Sequence, residues 1–242
     1  MSFLVSNITD EFLVVDPEGD VWITANPKEK PQKLDITNIS SVTLGPSFSF
    51  FVDKEGNLWI SDWCYCNSGR NSKISLSKVP NMQRVSAQSM VSNHAIFLDQ
   101  DLNAWSSGLY NDCGQMGLNN FEQSPEFIPH QIPNLPKITA VAAGFYHSLF
   151  LDEQGEVWGC GSNEHGQLGL EAKVPRSTPA KNPHLKNIRS ISAGRYHSLF
   201  VDVNDLAWGC GRNFDGQLPF EHELEISSMF LKQSNSPKVK AL

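Results

Sequence analysis

Short apolar runs that alternate with polar positions recur along the chain, and each closes on an aspartate. "FLVVD" ends at Asp16, "FFVD" at Asp53, "AIFLD" at Asp99, "SLFLD" at Asp152 and "SLFVD" at Asp202. A period of two is the pattern of a half-buried β-strand. A tight turn follows, written "DPEG" at 16–19, "DKEG" at 53–56 and "DEQG" at 152–155. Aspartate bonds its own turn backbone, and glycine accepts the left-handed last position. A second apolar strand then carries a tryptophan six residues after the aspartate, pairing Asp16 with Trp22, Asp53 with Trp59, Asp99 with Trp105, Asp152 with Trp158 and Asp202 with Trp208. Five of the six tryptophans share this register, at successive spacings of 37, 46, 53 and 50 residues, which is the mark of an internal repeat. Two copies place Leu102 and Asp205 where the turn glycine stands. Leucine disfavours positive φ, so the third turn is expected to differ locally.

Each hairpin is preceded by a further apolar stretch, clearest in "ITAVAAG" (138–144) and "IRSISAG" (188–194), with weaker forms at 39–45 and 82–88. Glycine-rich loops follow the last three hairpins: "GLYNDCGQMG" (108–117), "GSNEHGQLG" (161–169) and "GRNFDGQLP" (211–219). Each unit therefore predicts three or four short strands, and "EHELEISSMF" (221–230) reads as a short helix. Repeats of about fifty residues built this way are propeller blades, because a lone four-stranded sheet cannot bury both faces. The expected fold is all-β, a single propeller domain over 1–242 with blades near 5–45, 46–88, 89–142, 143–192 and 193–242. The tryptophans are expected to wedge between neighbouring blades.

"AGFYHSLFLDEQGEVWGCGSNEHGQLG" (143–169) and "AGRYHSLFVDVNDLAWGCGRNFDGQL" (193–218) resemble the repeat of the regulator of chromosome condensation family. The resemblance is strong over roughly 80–219 and weak in the first two copies, which keep the Asp–Trp spacing but lose the Asn-x-x-Gly-Gln-Leu-Gly loop. It implies a β-propeller, and family propellers usually have seven blades. Here Val5 falls in the register of Val141 and Ile191, and Leu242 of "VKAL" falls there too, so the chain holds five whole units. We read a five-bladed ring closed by residues 4–8, with an arc of a seven-bladed ring as the alternative, since missing blades would leave sheet edges open.

The net charge of −7 and the lack of any basic run exclude a nucleic-acid surface. The amino terminus lacks a signal-peptide pattern, and no apolar run is long enough to span a membrane. Five cysteines without a Cys-x-x-Cys pair read as reduced thiols, with Cys160 and Cys210 as small apolar fillers. These features point to a monomer of the cytoplasm or nucleus.

No catalytic residue, cofactor or metal site is assigned. His94, His147 and His197 share one register and admit a ring of metal-binding imidazoles, but Glu11 and Phe48 break the ring, and a hydrogen bond from one blade to the next explains the repetition better. The repeated aspartates are accounted for as turn formers. Candidate partner contacts lie where the repeat fails: Trp63, Tyr65 and Arg70 in "SDWCYCNSGRNSK" (61–73), with Tyr110 and Phe214 at comparable loop positions. Exposed aromatics beside arginine are the residue types that anchor protein interfaces. The reading is a non-enzymatic interaction propeller, a regulatory or scaffold module with a protein partner. The alternative, implied by the resemblance, is a guanine nucleotide exchange factor for a Ran-like or Rho-like small GTPase. Against it, the longest repeat interval, 53 residues, leaves no room for the family's inserted wedge.

Overall fold

The computed structural model describes residues 3–6, 12–24, 30–45, 48–61, 76–82, 84–91, 94–124, 127–218 and 226–232. Every regular element among them is a β-strand, and the strands form five four-stranded antiparallel sheets. The first contains β1 (Phe3–Ser6), β2 (Phe12–Val15), β3 (Val21–Thr24) and β4 (Gln32–Lys33). The second contains β5 (Ile39–Leu44), β6 (Ser49–Asp53), β7 (Leu58–Ser61) and β8 (Leu76–Lys78). Next come β9 (Val85–Val91), β10 (His94–Asp99), β11 (Ala104–Gly108) and β12 (His130–Gln131), then β13 (Ile138–Ala143), β14 (His147–Asp152), β15 (Val157–Gly161) and β16 (Arg176–Lys181). The last contains β17 (Ile188–Ala193), β18 (His197–Asp202), β19 (Ala207–Arg212) and β20 (Ile226–Lys232). Within each sheet the strands lie side by side in chain order.

Two features of the strand pairing differ from the sequence reading. The run "ITAVAAG" opens a sheet as β13 instead of finishing the preceding blade, so the sheets span 3–33, 39–78, 85–131, 138–181 and 188–232. Residues 4–8 were expected to complete the last sheet, but Phe3–Ser6 pairs with Phe12–Val15 in the first. The last sheet takes its fourth strand from Ile226–Lys232, which overlaps the segment 221–230 read as a short helix; residues 221–225 lie outside the described residues. That strand satisfies the open backbone edge of β19, a tertiary demand that local propensity does not report.

The chain divides into two compact units, residues 1–86 with 90–93, and residues 87–89 with 94–242. In the first unit a core of Leu13, Val15, Val21, Ile39 and Phe51 forms between the first two sheets, with Trp59 packed against it. In the second unit Ile96, Leu98, Ile138 and Phe150 form one core, backed by Trp158. Leu149, Leu151, Leu185 and Phe200 form the next, backed by Trp208. In four of the five copies a phenylalanine two residues before the repeat aspartate fills the core: Phe51, Phe97, Phe150 and Phe200 are all buried, and Val14 stands there in the first copy. Burying such a side chain stabilises by about 2–3 kcal/mol. The five repeat tryptophans are half-buried, and Trp59, Trp158 and Trp208 pack against these cores.

The third turn does not deviate. Leu102 takes φ +62° and Asp205 takes φ +64°, the same left-handed conformation as Gly155 at φ +74°. The closing bonds match as well: Leu102 N–H donates to Asp99 O at 3.1 Å, as Gly155 N–H does to Asp152 O. Leu102 O in turn accepts Ile138 N–H at 2.9 Å, the bond that Gly155 O makes with Ile188 N–H. The turn is over-determined from both sides, so leucine absorbs a backbone cost of about 1–2 kcal/mol.

Candidate functional site

The repeated aspartate is held in place by several hydrogen bonds at once. Asp99 Oδ1 accepts the Asp101 and Asn103 N–H groups, each at 2.9 Å, and Oδ2 accepts Asn103 Nδ2 at 3.0 Å and Trp105 Nε1 at 2.9 Å. The indole bond is made in all five copies: Trp22 to Asp16, Trp59 to Asp53 and Trp158 to Asp152 at 2.9 Å, and Trp208 to Asp202 at 3.1 Å. The Trp22 indole holds the Asp16 carboxyl below its ordinary pKa. Burial pushes Asp53 and Asp99 up, but their backbone, asparagine and indole donors outweigh it and the net shift is downward. A carboxylate bound by so many donors is a structural anion with no proton to offer a substrate.

The histidine register is also a fastening. His94 Nε2 lies 3.0 Å from Ser148 Oγ, and His147 Nε2 lies 2.9 Å from Ser198 Oγ. Both hydroxyls donate their proton elsewhere, Ser148 to Gln115 O at 2.7 Å and Ser198 to Gln167 O at 2.6 Å. Each imidazole Nε2–H therefore donates to the serine of the following sheet. Burial depresses the His94 pKa to about 4; burial and the neighbouring His94 and His197 take His147 to about 3. Both rings are neutral. Gly144 makes room for this arrangement, since a Cβ there would stand 2.3 Å from His147 Cε1. Cys160 and Cys210 are fully buried and approach the same glutamine carbonyls, and burial pushes both thiols far up. Among the described residues, no group of three or more His, Cys, Asp or Glu is placed to hold a metal ion.

The loops at one end of the second unit's sheets carry a different chemistry. The Asn-x-x-Gly-Gln loops are held by their own side chains: Asn163 Oδ1 accepts Leu168 N–H at 2.8 Å, Asn163 Nδ2 donates to Ala172 O at 2.7 Å, and Gln167 Oε1 accepts His165 N–H at 3.0 Å. Asn213 and Gln217 repeat the pattern around Phe214. From this base rises an alternating ladder of rings and guanidiniums. The Arg212 guanidinium lies 5.0 Å from the Phe214 ring centroid and 5.8 Å from that of Tyr196. Arg195 lies 5.1 Å from Tyr196 and 4.7 Å from Phe145. Tyr146 stacks on Tyr196 at 5.8 Å, and His165 meets the Tyr196 ring edge-on at 5.0 Å. Each exposed cation–π contact contributes about 0.5–1 kcal/mol and fixes a side chain that would otherwise wander.

Of the partner-contact candidates, Trp63, Tyr65 and Arg70 lie outside the described residues. Tyr110 is 45% exposed and Phe214 50% exposed, at the expected loop positions. Phe214 belongs to the ladder; no ring or cation contact joins Tyr110 to it among those described. Sequence reasoning missed Arg195, Arg212, Phe145, Tyr146 and Tyr196. The available signal was a difference between repeats: Arg195 stands where the preceding copy has Phe145, Arg212 where it has Ser162, and Phe214 where it has Glu164.

Four-stranded antiparallel sheets in series, the third tied to the fourth and the fourth to the fifth by histidine–serine bonds, define a repeat protein of the β-propeller class. Models of the regulator of chromosome condensation (RCC1) repeat match residues 103–151 and 154–201, and a second model of that repeat matches 138–167 and 188–217. Residues 103–217 thus carry RCC1 repeats. An RCC1 repeat-containing protein of Schizosaccharomyces pombe is 41% identical over 63 residues, covering 25% of this chain and 17% of that protein. The Caenorhabditis elegans homolog of the X-linked retinitis pigmentosa GTPase regulator is 30% identical over 84 residues, covering 34% and 6%. Among solved structures, Prp20p from Saccharomyces cerevisiae, described with its binding properties to Gsp1p and histones, superposes with a TM-score of 0.77 at 20% identity. That superposition covers 93% of this chain and 61% of Prp20p, so the chain spans well under the full length of its relatives. No helix among the described residues is long and apolar enough to cross a membrane.

Proposed function

We propose that this chain is a non-enzymatic interaction platform, a regulatory or scaffold module of the cytoplasm or nucleus that holds a protein partner at the loop end of its sheets. The observation that carries this reading is the Phe214–Arg212–Tyr196–Arg195–Phe145 ladder, an aromatic and arginine surface set on loops held by their own hydrogen bonds. Residues of these types, pre-organised, lose little entropy on binding and anchor interfaces. Capture from a lysate with the 242-residue chain, compared with a Tyr196→Ala and Phe214→Ala double variant, tests it. A partner recovered by the native chain and lost by the variant supports the platform; identical recovery by both rejects this surface.

A second reading is nucleotide exchange on a small GTPase. It is favoured by the GTPase regulator homolog among the relatives and by the Gsp1p binding described for Prp20p. Release of labelled nucleotide from Ran-like and Rho-like GTPases decides it: acceleration at stoichiometric protein supports exchange, and unchanged release removes it.

A further inference from the structure

We infer that the Arg195–Arg212 ladder is a docking site for an acidic peptide segment, the two guanidinium edges receiving carboxylates while the flanking rings cover the peptide's apolar atoms. This deepens the platform reading and rests on it. A guanidinium lying over an aromatic face has its N–H groups directed outward in its own plane, where a carboxylate is bound bidentately. Arg195 is exposed, stacked between Phe145 and Tyr196, and makes no ion pair among the described residues. Arg212 is stacked between Tyr196 and Phe214; its sole described counter-ion, Asp215, stands 3.6 Å away and is 71% exposed, too distant for a hydrogen bond. Its buried Nε has no partner.

Two carboxylates lie beside the third sheet's loop. Glu164 and Asp112, at the loop position that Phe214 takes in the last copy, sit near the Cys113 thiol, where burial and then these two carboxylates push its pKa up. The two arginines of the ladder lie at the last sheet, Arg195 before β18 and Arg212 at the end of β19. On a chain of net charge −7, two stacked arginines with open edges are a local exception, complementary to a partner's carboxylates. Glu-rich or Asp-rich segments also lack the steric demand of a folded surface, so an open ledge suffices to hold them.

The test uses the full chain and a short fluorescein-labelled peptide of alternating Glu and Ser, read by polarisation, with the Gln–Ser peptide as control. The expected result is binding of the acidic peptide alone, weakened roughly tenfold by Arg195→Ala and again by Arg212→Ala, and weakened by salt. Arg195→Lys, which keeps charge and fold but loses the planar fork, falls between. Asp215→Asn, which removes the competing carboxylate, tightens binding. Equal binding of the Gln–Ser peptide, or indifference to both arginines in variants with native circular dichroism, overturns the inference. Binding confined to a peptide bearing phosphoserine also overturns it, assigning the edges to phosphate. If lysate capture still depends on Tyr196 and Phe214 while the acidic peptide fails, the platform stands and only its partner chemistry is wrong.

Discussion

Trp105 Nε1 donates to Asp99 Oδ2 across the hairpin that joins β10 to β11, at 2.9 Å, and the same bond recurs in every copy. The pair couples a turn to the strand that follows it. Trp105→Phe keeps most of the packing and removes one donor, and is expected to cost about 1 kcal/mol. Asp99→Ala removes the acceptor for four donors and is expected to cost about 2–4 kcal/mol. Urea unfolding of both variants and of the double variant checks this. A double-variant cost equal to the sum of the singles would mean that the bond carries no coupling.

Ser198 stands between His147 Nε2 and Gln167 O, with both bonds buried. Ser198→Ala leaves the buried His147 donor without a partner and Gln167 O with only the weak Cys210 thiol, and is expected to lower stability by about 2–3 kcal/mol, more than the lost hydroxyl alone would explain. Ser198→Thr, which keeps the hydroxyl, restores part of it. The midpoint of chemical denaturation reads both.

Acid weakens the fold through the histidines. In the unfolded chain they titrate near 6.5, whereas in the fold burial holds His94 to about 4 and His147 to about 3. The unfolded state therefore binds more protons below pH 6.5, and their contribution is complete above that value and is lost as pH falls toward 4 and then 3. Each imidazole adds a slope of about 1.4 kcal/mol per pH unit in that window. Asp53 and Asp99, also depressed, add loss of the same sign only at lower pH, near and below the ordinary carboxylate range. His147→Gln is expected to flatten the curve between pH 6 and 4, measured by urea midpoints across pH; an unchanged slope contradicts a buried neutral ring.

Leu102 and Gly155 occupy equivalent turn positions. Exchanging them is expected to be asymmetric. Gly155→Leu adds a left-handed strain of about 1–2 kcal/mol, and its Cβ meets Ile188 O at 3.1 Å. Leu102→Gly relieves that strain but increases the freedom of the unfolded chain by about 0.5–1 kcal/mol, so its net effect is small. Thermal midpoints that fall equally for both variants would refute the comparison.

The fold was legible because its parts are written five times. Alternating runs, the Asp–Trp spacing and the turn glycines located every central hairpin. The fourth strand Ile226–Lys232 was not legible, since its reason for being a strand is the open edge of β19. The third turn was misjudged because leucine's dislike of positive φ is smaller than the pull of the bonds to Asp99 and Ile138. In the candidate site, Phe214 was found as an exposed loop aromatic. Arg195 and Arg212 were passed over, since Arg195 lies between β17 and β18, Arg212 ends β19, and neither stands out until the ends of two sheets are set side by side.

The histidine–serine fastening also imposes a schedule. His94 finds its serine at Ser148 and His147 at Ser198, 54 and 51 residues further along the chain. A ribosome delivers His94 long before its acceptor has emerged. During synthesis His94 of the third sheet lacks its serine until the fourth is made, and His147 of the fourth lacks its own until the fifth is. Growth from the amino terminus thus advances with a lag of one repeat, and a chaperone or protease acting on the nascent chain meets an unfinished sheet at its leading edge.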